Sequence, residues 1–470
     1  MEEARMDRRT FVMGAAAIGA AALAGGVLGG CSDGEEAGTM TEPVPAAPSP
    51  TPEPAPGPLP YDSVFPPHEP LGRGVGAMPG RVAWVRDAAA VTWDGSGYWW
   101  QREHFNEDAV RRMVDDGVAA AAGADDAAAG WRVLFEAHNT RVGRAGGYRA
   151  GQRIAVKANM NGAGTFGTDE DSAMSYTTPV LLRALLLSLV EDAGTAPGDI
   201  AVYDACRIFP AHMMELCSEG ALAGVRFRCY DEGGPNDAVG DESAPVIWSG
   251  DVAGAANVVP ACVSEADYLI NLASLKGHSY GLTLCGKNHF GSLVNSSRLR
   301  PPEAAGIHRY VSGQAMGMYT VLVDLFANRL LGGKTMLWML DGLVPATSEG
   351  ASVTREAAQW EGAPFDGGFA ASIFLSQDPV AIDSVGADFL INQPAVVSRN
   401  AALEGNLGVE NYLHEAALAS APPSGAAYRD GAGNPVESLG VHEHWNNSVE
   451  RLYSRDRGES EGIELVRILR

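Results

Sequence analysis

The run TPVLLRALLLSLVEDAGTAPGDIAVYD, from Thr178 to Asp204, decides the fold. Thr178 stands at an N-cap position, Pro179 fits the first turn with its fixed φ, and Gly194 stops the pattern, so the spacing predicts a helix over 179–193. Ile200–Tyr203 is a short β-branched and aromatic run that ends on Asp204, which predicts a strand. Upstream, Arg153–Lys157 has the same character. Strand, helix and strand in that order build parallel pairing, because the helix carries the chain back to the starting edge of the sheet.

The alternation continues in both directions. Strands are expected at Arg81–Val85, Val225–Tyr230, Tyr268–Asn271, Thr335–Leu340 and Ser372–Leu375. Helices are expected at Glu107–Ala121 (Asn106 as cap, Gly123 as stop), Pro210–Ser218, Val311–Leu331 and Pro379–Ile391. The expected fold is α/β, a mostly parallel sheet flanked by helices, in a single large body over residues 72–470. No internal repeat interrupts it.

Composition limits what such a body can do. The 470 residues carry 34 Lys+Arg against 58 Asp+Glu, a formal charge of −24, and 46% are hydrophobic. A chain this apolar is not wholly disordered. A balance this acidic argues against a nucleic-acid partner, whose phosphates need a basic surface. It also argues against docking on anionic lipid through basic patches.

The N-terminus reads as an address. Arg8-Arg9 in DRRTFV precedes an uncharged Gly/Ala-rich run over Thr10–Gly30, and Leu28-Gly29-Gly30-Cys31 follows the pattern of a lipoprotein cleavage box. This resembles a twin-arginine export signal over 1–31 with Cys31 as lipid anchor. The partners implied are the twin-arginine export machinery and a membrane reached only through the lipid, with the body facing the periplasm or cell exterior. The alternative is an uncleaved membrane-spanning anchor. Residues 32–71 read as a tether, with nine prolines between Pro43 and Pro60 favouring an extended polyproline II spacer.

Four predicted strands end on polar residues: Lys157 and Asn159, Asp204, Asn271, and Asp341. In open α/β sheets ligands sit beyond the carboxyl ends of strands, so these read as one site. The stretch LINLASLKGHSYGLTLCGKNHFGSL, Leu269 to Leu293, adds Lys276, His278, Lys287, Asn288 and His289, interleaved with Gly277, Gly281, Gly286 and Gly291. Glycines let backbone approach a ligand, lysine supplies a point charge for an anion or enolate, and histidine serves as acid, base or metal ligand. The bland alternative is an irregular surface loop with solvated lysines.

His442 and His444 in VHEHWNN lie two apart. A strand puts both on one face, a reasonable metal-binding pair, although two hydrogen-bonded histidines stitching the C-terminus down fit as well. His138, His308 and His414 read better as structural. Asp378, before Pro379, reads as a helix cap, and Asp383 one turn on can face the site. Besides Cys31 there are five cysteines, an odd number with no C-x-x-C, so an iron–sulfur cluster is not expected and buried thiols are.

The strings IAVKANMN around Lys157, ADYLINLASLKGH with LTLCGKNHFGS, and SQDPVAIDSVGADFL from Ser376 to Leu390 together resemble the bacterial family called domain of unknown function 362, over about residues 81–390. SLGVHEHWNNSVERLYSRD resembles the C-terminal extension, 391–470, of its exported branch. The resemblance implies an α/β fold and assigns no reaction. The residues themselves suggest an exported, lipid-anchored enzyme. Catalytic roles would fall to Lys276, His278, Lys287, His289 and Asp341. Lys157, Asn159, Asp204, Asn271 and Asn288 would hold a small anionic or carbonyl-bearing ligand. A divalent metal, with His442 and His444 as candidate ligands, would assist hydrolysis or proton abstraction. A solute-binding or redox-accessory lipoprotein without turnover is the competing expectation.

Overall fold

The computed structural model describes residues 65–163, 172–252, 257–279, 281–294, 307–311, 313–393, 396 and 407–470. The export signal, Cys31 and nearly all of the tether lie outside the described residues. Among the described residues no helix is long and apolar enough to cross a membrane.

A nine-stranded sheet organises the body. Its strands are β1 (Arg81–Arg86), β2 (Ile154–Ala158), β3 (Ile200–Tyr203), β4 (Arg226–Arg228), β5 (Tyr268–His278), β6 (Gly281–Thr283), β7 (Thr335–Ala346), β8 (Ser372–Ser376) and β9 (Glu464–Leu469). The order is β9-β1-β8-β7-β5-β2-β3-β4, with β6 hairpinned onto β5. The pairs β7·β5, β5·β2, β2·β3 and β3·β4 are parallel, as is β9·β1. Only β8 runs against its two neighbours, and β6 against β5. The four strands whose polar ends were singled out, β7, β5, β2 and β3, are therefore contiguous and parallel, and they end on one edge.

Residue alternation along the strands splits the core into two faces. Ala83, Val85, Ile154, Val156, Ile270 and Met339 pack with the helices α1 (Glu107–Ala122), α2 (Ala127–Arg141) and α3 (Pro179–Glu191). Val82, Trp84, Ala155, Leu269, Trp338 and Phe374 pack on the other face with α4 (Pro379–Ile391) and α5 (Gly408–Ala417). Twelve residues of α4 are buried, Asp383, Ser384 and Asp388 among them. A helix buried nearly all round, with polar groups included, needs partners for those groups, and the segments after 391 supply several. The C-terminal region also contributes the edge strand β9, so it is built into the same sheet.

Several local expectations change. The strands β5 and β7 are longer than their apolar runs, so Asn271, Lys276, His278 and Asp341 lie within strands rather than after them. The Lys/His stretch is consequently no surface loop: it is the end of β5, the β6 hairpin, and the short helical turns Cys285–Asn288 and His289–Ser292. The long helix expected over 311–331 shrinks to Val321–Ala327; Gly313 and Gly317 take φ of 60° and 74°, which no right-handed helix accommodates. Thr178 begins α3 without capping it by a side-chain hydrogen bond. Asp378 does cap α4, accepting from Val380 N (3.1 Å) and Ala381 N (2.9 Å).

Candidate functional site

At the shared edge the buried polar side chains form one connected network. Lys157 Nζ donates to Asp204 Oδ2 (3.0 Å), Asn288 Oδ1 (3.1 Å) and Ala158 O (2.6 Å). Asp204 is held in turn by the N–H groups of Met160 (3.1 Å) and Cys206 (2.9 Å). Asn288 Oδ1 also accepts from Asn159 Nδ2 (3.1 Å), and Asn288 Nδ2 donates to Asn271 Oδ1 (2.8 Å). Asn159 Oδ1 accepts from Lys276 Nζ (3.0 Å), whose other partner is the carbonyl of Ser175 (2.8 Å). Thus Lys157, Asn159, Asp204, Asn271, Lys276 and Asn288, all named from the sequence, meet side chain to side chain. Gly291 closes over the pair: a Cβ there would lie 2.7 Å from Lys157 Nζ and 2.8 Å from Asp204 Oδ2.

A second layer gathers beside it. Lys287 Nζ donates to His308 Nε2 (3.2 Å) and lies 3.9 Å from the centre of the Phe290 ring. His278 Nδ1 is 3.7 Å from Glu349 Oε1. Burial lowers the Lys276 ammonium to about 7; Glu349 and Asp204 resist and Arg207 adds to the fall. Burial does the same to Lys287, also to about 7, opposed by Glu349 and reinforced by Arg207 and Lys276. His278 is held well below its ordinary value by burial and then by Lys287, Lys276 and His308. Arg207, Ser175, His308 and Glu349 were not foreseen as parts of the site. They come from segments with no motif, and only the chain's path brings them in.

Two expected members stand apart. His289 Nδ1 lies 3.2 Å from Ser292 Oγ and its ring packs edge-on against Trp338 (5.5 Å), fully buried within the apolar face. Asp341 accepts from Thr178 N (2.7 Å) and Thr178 Oγ1 (3.2 Å), an anchor for the start of α3. Asp383 takes the N–H groups of Cys285 (2.8 Å) and Gly286 (2.9 Å), which fixes the turn that carries Lys287 and Asn288. Among the described residues the five cysteines form no disulfide with one another, and four are buried. Burial raises the Cys285 thiol well above its ordinary value.

Proton counting separates positioning groups from groups with capacity to spare. An ammonium has three N–H donors. Lys157 uses all three. Lys276 uses two, and Lys287 one. Among the described residues neither Lys276 nor Lys287 meets a carboxylate at hydrogen-bond distance. A buried cation with neutral partners is costly, and a negative ligand offsets that cost.

His442 and His444 lie elsewhere, against Ser384 and Asp388 of α4. His442 Nδ1 is 2.8 Å from Ser384 Oγ, and His444 Nδ1 is 2.6 Å from Asp388 Oδ1. Both face Glu410 of α5, as does His68. His68 and Glu410 carry no local signal in the sequence. His414, read as structural, donates from Nε2 to Glu410 Oε1 (2.7 Å).

No curated protein and no solved structure matches the chain. The domain of unknown function DUF362 matches residues 154–388, half of the 470 residues. That span begins at β2 and ends within α4, so it holds the whole lysine and asparagine network, and the chain is a member of the DUF362 family.

Proposed function

We propose that this protein is an exported, lipid-anchored enzyme that takes a small anionic or carbonyl-bearing molecule at Lys276 and Lys287 and moves a proton on it. The observation that carries this reading is the unused N–H capacity of those two lysines, Lys276 fully and Lys287 partly buried among neutral partners at the carboxyl edge of parallel strands. Lys157, Asp204, Asn159, Asn271 and Asn288 are positioning residues: their hydrogen bonds are spent on one another. Lys287 is partly exposed, and with its ammonium lowered to about 7 it exists in both protonation states near neutrality, which is what a general acid or base needs. His278 and His308 are driven toward their neutral forms, and His308 Nε2 serves as the hydrogen-bond acceptor for Lys287. Proton abstraction next to a carbonyl suits this set better than hydrolysis. The twin arginine and Cys31 support a location outside the cytoplasmic membrane for that reaction.

The test is calorimetric titration of the full chain with oxalate and with inorganic phosphate. Wild-type protein is expected to bind at least one of them, and Lys287→Ala to weaken that binding at least tenfold. Equal binding by both proteins, or none by the wild type, overturns the reading. The fully buried, doubly hydrogen-bonded Lys276 favours one competitor, a solute-binding lipoprotein with no turnover. Deuterium exchange at the carbon beside the carbonyl of a panel of 2-oxo acids separates the two: an enzyme exchanges it and a binder does not.

A further inference from the structure

Three chain segments far apart in sequence aim ring nitrogens and a carboxylate at one point: His68, Glu410, and His442 with His444. One ligand atom from each lies within 4.8 Å of every other. His68 Nε2 is 3.3 Å from His442 Nε2. Glu410 Oε2 is 2.9 Å from His444 Nε2 and 3.5 Å from His442 Nε2, and Glu410 Oε1 is 3.8 Å from His68 Nε2. Around a tetrahedral ion with bonds of about 2.0–2.1 Å, neighbouring ligand atoms stand about 3.3–3.4 Å apart. The spacings of 2.9, 3.3 and 3.5 Å among Glu410 Oε2 and the ring nitrogens bracket that edge.

The far nitrogen of each ring is already engaged. Ser384 Oγ spends its hydrogen on Val380 O (2.7 Å), so it accepts from His442 Nδ1. Glu69 O, a carbonyl, accepts from His68 Nδ1 (2.7 Å). Asp388 Oδ1 accepts from His444 Nδ1, while its other oxygen is held by Trp445 N (3.1 Å) and Tyr453 OH (2.8 Å). With Nδ1 protonated, the neutral His68 and His442 rings present lone pairs to each other across 3.3 Å. A repulsive contact of that kind calls for a cation between them. Carboxylate or carbonyl partners, as behind His444 and His68, are what orient metal-bound imidazoles in general, and the Ser384 hydroxyl does the same for His442. His414 holds the Glu410 oxygen that faces away from His444.

We infer that His68, Glu410, His442 and His444 bind one divalent transition-metal ion of the zinc type. Three imidazole nitrogens and one carboxylate oxygen suit that class. Four protein ligands close the coordination sphere, so the ion is structural: it clamps the segment that enters from the tether to α5 and to the strand Val441–His442. The ligands lie outside the DUF362 match, while Ser384 and Asp388, which orient two of them, lie within it. This centre is separate from the lysine site, and either can fail without the other.

The experiment is elemental analysis of the purified full chain, followed by Co2+ titration of the chelator-treated protein. One equivalent is expected, with the intense visible bands of four-coordinate Co2+ and a Tm that rises on loading. His442→Ala and Glu410→Gln should abolish the bands. Since His442 is wholly buried and its loss can impair folding, His68→Ala, at the partly exposed rim, is the second variant and should weaken Co2+ at least tenfold. Lys287→Ala should bind Co2+ as the wild type does. Absence of stoichiometric Zn2+ or Co2+ in the wild type, a six-coordinate spectrum, or unchanged affinity in His68→Ala overturns the assignment.

Discussion

Lys157 and Asp204, 47 residues apart on neighbouring parallel strands, form a fully buried ion pair at 3.0 Å that is roofed by the backbone of Gly291. The pair joins β2, β3 and the turn after β6, and it holds the Asn288 amide that the other asparagines share.

Removing one partner leaves a buried charge without compensation. Asp204→Ala also frees the N–H groups of Met160 and Cys206. A loss of about 3–5 kcal/mol is expected, read as a shift of the urea midpoint at unchanged slope. A midpoint equal to that of the wild type would contradict the pair's structural role.

Gly291→Ala tests the roof alone. Its methyl group would stand 2.7 Å from Lys157 Nζ, so either the turn or the ion pair must shift. Overpacking of this kind costs about 1–3 kcal/mol. Oxalate binding should weaken as well, because Asn288 and Lys287 sit on the same turn; thermal melts and calorimetry on one sample report both.

The lysines give a signed pH dependence. Their folded values of about 7 lie below the ordinary 10.5. Between those limits the unfolded chain binds more protons than the folded one, so stability rises with pH from about 7 to about 10.5. Oxalate affinity runs the other way and should fall as pH climbs through 7. Lys287→Met should flatten both trends, and stability curves at fixed ionic strength that show no difference between the two proteins would refute the assignment.

The cap at Asp378 is the cleanest stability test outside the site. Its carboxylate accepts from Val380 and Ala381 at the start of α4, from Val75 N (3.0 Å) and from Val441 N (3.2 Å). Asp378→Ala leaves four donors, three of them buried, without their acceptor and should cost at least about 2 kcal/mol. Hydrogen exchange at Val380 and Ala381 should accelerate with it.

Export and anchoring separate by mutation. Replacing Arg8 and Arg9 by lysine should keep the protein in the cytoplasm, and Cys31→Ala should release exported protein from the membrane fraction. Cell fractionation with a lipid label reads both. Labelled protein in the Cys31→Ala variant would remove the anchor from this account.

The polar strand ends are legible in the sequence where strand direction alone decides their place. Lys157, Asp204, Asn271 and Asp341 were marked as strand-end polar residues, and all four strands do run parallel and side by side. The rest is not legible, because burial and path decide it. The sequence puts Lys276 and His278 just beyond a strand that ends at Asn271, yet pairing with the β6 hairpin carries β5 through them. His289 has the same K-x-H context as His278 but turns into the apolar core, since the short helical turns after Cys285 rotate it away from the edge.

The α/β class, the caps of α1 and α4, and the lysine- and asparagine-rich edge were legible in the chain alone, because periodicity, turn residues and strand-end polarity act over a few residues. Strand order, the pairing of β9 with β1, and the meeting of His68 with His442 across 374 positions belong to the tertiary structure. Contacts of that span are selected by the joint burial of whole elements, and no local stretch of sequence contains the energy that selects them.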